Sequence, residues 1–181
     1  MADAKVTLEI VTPHGPALHE EVDDVTAPSV SGEFGVLPGH LPLLAALRTG
    51  IVTFHKSGEE KRLAVAEGFV EVKDDRALLL TDKVAHRHEI DPVKVRLELK
   101  DVQQQLDQYT GPPVSPEWQD LVSRENWAAV QLELYGDPPP ATQRPFEMFG
   151  PPAPLEENEL TMPDPENDLE AKVEGRPPVS H

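Results

Sequence analysis

The chain has 181 residues, 38% of them hydrophobic and only 5% aromatic, a length that fits one domain with a good core or two small ones, so any core rests on Val, Leu, Ile and Ala. Its formal net charge of −17 sets it against nucleic-acid phosphates and anionic membrane surfaces, and the absence of cysteine excludes disulfides, thiol nucleophiles and zinc-thiolate sites. MADAKVTLEI lacks the basic region and apolar core of a secretory signal, and no apolar run approaches the roughly 20 residues that cross a bilayer, so the expectation is a soluble protein of a reducing compartment.

Residues 1–89 read as β structure. In "KVTLEIV" (5–11), Val6, Leu8 and Ile10 alternate with polar neighbours, the period of a half-buried strand, and "TPHGP" breaks it. "ALHEEV" and "VTAPSV" follow as short extended pieces. "GIVTFHK" (50–56), the strand-Gly-strand stretch "KRLAVAEGFVEVK" (61–73) and "RALLLTDKVA" (76–85) continue the pattern, with turns at "SGEE" and "DD". Short strands with turn signals every 8–12 residues predict a β-sandwich or barrel, and no stretch between them is long enough for a helical crossover.

Residues 90–136 change period. Asp91 is a good N-cap and Pro92 suits the first helical position. Val95, Leu99, Val102, Leu106 and Tyr109 then share one helical face. "TGPP" stops the helix, and Ser115, Pro116 and Glu117 restart one whose stripe is Trp118, Leu121, Ala128, Leu132 and Tyr135, closed by Gly136. The prediction is a helical hairpin with a core separate from that of the β domain. Residues 137–181 hold 11 of the 20 prolines and ten acids against three bases, too few large apolar side chains to offset the entropy of ordering, so they are expected to be disordered.

Three stretches bear on function. "SGEFGVLPGHLPLL" (31–44) lacks the spacing of a phosphate-binding glycine loop, and His40 has no Ser or acid placed to complete a triad. One reading is a structured turn between strands, with Gly35 and Gly39 taking backbone angles other residues resist. His86 and His88, at i and i+2, would point the same way on a strand and share a metal, giving a small metal-dependent enzyme or binding protein as the alternative function. Arg87 stands between them and no third ligand is evident. "IDPVKV" (90–95) is the third.

"GEFGVLPGHLPLLAALRTG" (32–50) closely resembles the signature of the epsilon subunit of F-type ATP synthases, the counterpart of the mitochondrial delta subunit. "VTLEIVTP", "EEVDDVTAPSVSGEFG", "AVAEGFVEV" and "LLLTD" followed by "ID" extend the resemblance in order and length over residues 5–136, while the tail from 137 onward has no counterpart. The resemblance implies an α+β chain: a ten-stranded β-sandwich of two five-stranded sheets (1–89), a C-terminal antiparallel helical hairpin (90–136), and then the acidic Pro-rich tail (137–181).

The function it implies is that of a non-catalytic rotor subunit of the central stalk of a proton-translocating ATP synthase. Such a subunit links the gamma subunit to the membrane c-ring and regulates ATP hydrolysis beside the alpha and beta subunits. The chain would then be one copy within a hetero-oligomer, peripheral on the cytoplasmic face of a bacterial plasma membrane, without membrane insertion, cofactor or metal. The docking residues implied are Ser31, Gly32, Glu33, Phe34, Pro38, Gly39, His40 and Leu41. Ile90 and Asp91 match the nucleotide motif Ile/Leu-Asp-x-x-Arg-Ala of some relatives, but Lys94 stands for Arg and Val95 for Ala, which removes the planar fork of donors and adds bulk. The second helix carries one base, Arg124, against Glu117, Asp120, Glu125 and Glu133, a poor charge match for an acidic partner.

Overall fold

A computed structural model describes residues 4–112 and 114–139, which lie within one compact unit. Ten strands come first: β1 (Val6–Thr12), β2 (Gly15–Val22), β3 (Asp24–Ser29), β4 (Gly32–Val36), β5 (Leu43–Leu47), β6 (Gly50–Lys56), β7 (Glu59–Val65), β8 (Gly68–Lys73), β9 (Arg76–Thr81) and β10 (Val84–His86). A single 3₁₀ turn (Arg87–Glu89) leads into α1 (Pro92–Gln108) and α2 (Pro116–Tyr135). The tail expected to be disordered falls outside the described residues from 140 onward.

Hydrogen bonding follows one path, β10-β7-β6-β3-β5-β8-β9-β1-β2, with β4 added to β3. β3 and β5 meet through a single pair, Ser29 with Leu47. The path doubles over at that pair into two five-stranded layers, β10-β7-β6-β3-β4 and β5-β8-β9-β1-β2. All pairings are antiparallel except β1 with β9. The ten-stranded sandwich followed by a helical hairpin is therefore the observed architecture.

Strand alternation builds the core. Val6, Leu8 and Ile10 from β1, Ala77 and Leu79 from β9, and Val70 and Val72 from β8 face Val52 and Phe54 from β6 and Leu63 and Val65 from β7. Each large aliphatic side chain so buried contributes about 1.5–3 kcal/mol. Gly68 is required by this pairing: a Cβ there would lie 1.9 Å from the carbonyl oxygen of Leu80.

Three expectations need correction. The stretch 31–44 is more than a turn, since β4 and β5 begin and end it. The two glycines of "GEFGV" lower its strand propensity, and only Phe34 and Val36 reach the core. Gly39 does take a left-handed angle (φ +80), as does Gly32 (φ +120), but Gly35 does not. "RALLLTDKVA" is two strands in different layers, because the chain crosses over at Asp82 and Lys83. The buried Thr81 hydroxyl secures that crossing by donating to the Ala66 carbonyl (2.9 Å), with the Lys83 carbonyl 3.2 Å away.

The hairpin starts and stops as the sequence predicts. The Asp91 carboxylate accepts from the N–H groups of Val93 and Lys94, Ser115 Oγ accepts from that of Trp118, and Gly136 closes α2 in a left-handed conformation. Its core is not separate, however. Val95, Leu99, Ala128, Val130, Leu132 and Leu134 cluster with Ala64, Ala85 and Ile51 of the sandwich. Val130 and Leu134 lie outside the predicted stripe because α2 has two partners, α1 and the outer face of the β6, β7 and β10 layer. Only the far end, with Val102, Leu106 and Leu121 against Trp118, forms a cluster of the hairpin alone.

Candidate docking surface

The predicted docking residues do not form one site. Ser31 sits in the two-residue turn joining β3 to β4, which is tied by Ser29: its hydroxyl donates to the Gly32 carbonyl (2.6 Å) and accepts from the Ser31 N–H (3.2 Å). Glu33 lies on the outer face of its layer and lines a cleft beside Asn126 and Glu133 of α2. Phe34 turns inward and packs against the core. Pro38, Gly39, His40 and Leu41 follow β4, so they sit at the opposite end of the sandwich, about 20 Å from Gly32 at the rise of an extended strand. There the Gly39 N–H donates to the Asp75 carboxylate (2.5 Å), and His40 Nδ1 lies 2.6 Å from its neighbour's carbonyl, that of Leu41.

Between those two ends lies a surface the sequence reading missed. The outer face of the β5-β8-β9-β1-β2 layer carries a cross-strand row in which Ala46 pairs with Phe69, Phe69 with Leu80, and Leu80 with Val11. Phe69 is 58% exposed, Leu80 47%, and Leu44, one pair further along β5, 73%. Val30 continues the patch at the β3–β4 end and Leu41 at the other, 68% and 79% exposed. An open concavity of about 760 Å³ runs along the row between Val11, Val30, Phe69 and Leu80. One signal for it was present in the sequence: β9 has Leu78, Leu79 and Leu80 in succession, so both of its faces are apolar.

The row has a charged border. Arg76 pairs with Glu9 and His19 stands 3.3 Å from the same carboxylate. The Arg76 guanidinium holds the Glu9 carboxyl below its ordinary value, and Glu9 in turn raises that of Arg76. In the other layer the His55 imidazole of β6 lies 2.8 Å from Asp24 of β3, whose carboxylate raises its pKa. The hairpin packs on the other layer through Ala64, Ala85 and Ile51. The apolar row therefore lies on the face of the sandwich away from the helices.

The remaining predicted residues have structural employment. Ile90 is 7% exposed in the cluster shared by hairpin and sandwich. Asp91 caps α1, and Lys94 is exposed in its first turn. His86 and His88 stack on each other with ring centroids 5.5 Å apart. Among the described residues no group of three or more His, Asp or Glu is placed to hold a metal ion, and no helix is long and apolar enough to cross a membrane.

A ten-stranded sandwich with a helical hairpin on one face is the arrangement whose first part a family model describes: residues 5–87 match the β-sandwich domain of the ATP synthase delta/epsilon chain. The chain is 36% identical over 132 residues to an ATP synthase epsilon chain of Syntrophotalea carbinolica and 40% identical over 132 residues to that of Trichlorobacter lovleyi; each match covers 73% of this chain and 94% of the relative. A chain in the structure of the Euglena gracilis mitochondrial ATP synthase, OSCP/F1/c-ring, shares the fold with a TM-score of 0.55, at 23% identity over 74% of this chain and 79% of that one. The protein belongs to the ATP synthase epsilon chain family.

Proposed function

We propose that this chain is a non-catalytic rotor subunit in the central stalk of a proton-translocating F-type ATP synthase, joining the gamma subunit to the membrane c-ring. The observation that carries the reading is the uncovered apolar row of Leu44, Phe69 and Leu80, with Val30 and Leu41 at its ends. A face of that kind, opposite the hairpin, suits a protein partner that stays in place. Gamma is assigned to this face and to the adjoining Pro38–Leu41 end. The Ser31–Gly32 turn, small and at the other end, is assigned to the polar loops of the c-ring.

The sandwich (1–89) is the docking module. The hairpin (90–136) is the regulatory one, lying beside the alpha and beta subunits. Because α2 presents Glu117, Asp120 and Glu133 with Arg124 as its sole base, any restraint on ATP hydrolysis draws on Trp118, Trp127 or the tail rather than on charge. The subunit is peripheral on the cytoplasmic face of a bacterial plasma membrane. The metal-dependent alternative has no specific observation behind it.

The test is co-purification of the tagged full chain with gamma and c subunits. Replacing the exposed Leu44 and Phe69 together by Asp leaves the sandwich folded and weakens capture of gamma. At about 2 kcal/mol for each anchor, the loss is on the order of a thousandfold in Kd. Undiminished recovery of gamma with a folded double variant refutes the assignment.

A further inference from the structure

We propose that the hollow at the β3–β4 end of the apolar row is the receptor for a basic side chain of the gamma subunit, whose stem lies on Phe69 and Leu80 and whose charged head reaches Glu67 and Asp82. The inference rests on the assignment of gamma to this face and names the chemistry that gamma presents there.

The hollow is apolar with an acidic edge. Val11, Val30, Phe69 and Leu80 wall an open space of about 760 Å³. At about 30 Å³ for each molecule of liquid water, that is room for roughly 25 waters, so it admits side chains of a protein rather than one small ion. Glu67 and Asp82 are the only charged residues that line it.

The sheet explains why those two meet. Phe69 pairs with Leu80, and Gly68 with Thr81, in the β8–β9 ladder. Past them the Ala66 N–H donates to the Lys83 carbonyl at 2.9 Å, in the same register. Glu67 and Asp82 therefore stand across from each other at the end of the ladder. Alternation returns both to the face that carries Phe69 and Leu80, and both are exposed. Like charges directly opposite each other destabilise an antiparallel pair.

Elsewhere on this face the chain supplies its own bases. Arg76 pairs with Glu9 and also feels the charge of Glu71, and Lys73 stands opposite Arg76. Around Glu67 and Asp82 the bases turn to the helix side. Lys83 lies over the Trp127 ring of α2, 5.9 Å from its centroid, and Arg48 lines the cleft beside Asn126 and Glu133 that Glu67 also borders. Glu67 accepts from the Ser123 hydroxyl (2.9 Å), a neutral donor. The Asp82 side chain has no hydrogen bond or ion pair among the described residues. A partner that covers Phe69 and Leu80 takes water from both carboxylates, and a carboxylate stripped of water without a counter-charge is costly. The partner therefore brings the counter-charge. Arginine fits better than lysine, because a guanidinium stacks on an aromatic face and has donors enough for two carboxylates.

The experiment measures the affinity of the tagged full chain for isolated gamma at low and at high salt. The variant carrying Glu67→Gln and Asp82→Asn binds gamma at least tenfold more weakly at low salt, and its affinity depends less on salt. Two controls keep the parent's values. Glu59→Gln with Glu60→Gln removes the same charge from the start of β7, and Ser123→Ala removes only the hydrogen bond to Glu67. If the acid variant loses its far-UV spectrum, Asp82→Asn alone provides the reading, with weakening of at least threefold expected. Equal affinity and salt dependence in the folded parent and acid variant overturn the proposal, as does a matching loss in either control. The assignment of gamma is judged separately by the Leu44 and Phe69 variant. Loss of gamma there beside an unaffected acid variant leaves gamma on this face and removes the basic anchor, whereas a parent chain that fails to bind gamma overturns both.

Discussion

Replacing Leu132 by Ala tests how far the hairpin and the sandwich depend on each other. Leu132 is 2% exposed and lies in the cluster that also holds Ala64 and Ala85 of the sandwich, Val95 and Leu99 of α1, and Ala128 of α2. Removing its branched end leaves a cavity at the seam, which costs about 2–5 kcal/mol. None of the side chains of the larger sandwich cluster is touched, since that core closes through Val6, Leu8, Ile10, Val70 and Leu79 inside the two layers. The sandwich contribution to the seam is small, two alanines and the half-buried Ile51, so undocking the helices exposes little of it. Hydrogen exchange followed by mass spectrometry reads the outcome by segment. Amides of α1 and α2 lose protection roughly thirty- to several-thousand-fold, at 1.4 kcal/mol for each factor of ten. Amides of β1, β8 and β9 stay within about threefold of the parent, the ordinary scatter of an effect below about 0.7 kcal/mol. A matching loss across β1 and β9 shows that sandwich and hairpin unfold as one cooperative unit and refutes the reasoning, as does unchanged exchange in the helices.

Gly68→Ala forces a Cβ to 1.9 Å from the Leu80 carbonyl and prises β8 from β9. A cost of about 3 kcal/mol lowers the melting temperature by roughly 6–12 °C in a thermal scan, while Gly35→Ala, where a Cβ meets nothing and φ is not positive, leaves it unchanged. Equal effects at the two glycines refute the close-approach argument. The Asp24 carboxylate raises the pKa of His55 in the folded state, so the stabilisation is complete below the unfolded value near 6.5 and is lost as pH rises through the folded value. Stability measured by urea unfolding therefore declines from about pH 6 to pH 8 in the parent and less steeply in His55→Gln; parallel profiles exclude this pair as the cause.

Local chemistry was legible in the sequence. The strand periods of "KVTLEIV" and "GIVTFHK", the caps at Asp91 and Ser115, the closing Gly136 and the α1 stripe all depend on neighbours a few residues away, and the structure holds each of them where the sequence placed it. The long motif of residues 32–50 was equally readable, because its glycines, Pro38 and His40 lie in one continuous stretch. What failed was whatever depended on distant partners. β4 was hidden by its glycines and exists because β3 supplies five cross-strand pairs. Val130 and Leu134 look like off-stripe residues until the sandwich arrives as a second neighbour of α2.

The same division runs through the functional surfaces. Composition and period alone determined that the chain is acidic and cysteine-free, with a β-sandwich or barrel followed by a helical hairpin, since both are properties of the chain itself. Only the tertiary structure decided that Ser31 and His40 stand at opposite ends of β4 and that Phe69 and Leu80 form one apolar row. The physical reason is that a sheet face is assembled from strands far apart in sequence. Layer and register determine which of two alternating sides meets the core and which is left for a partner.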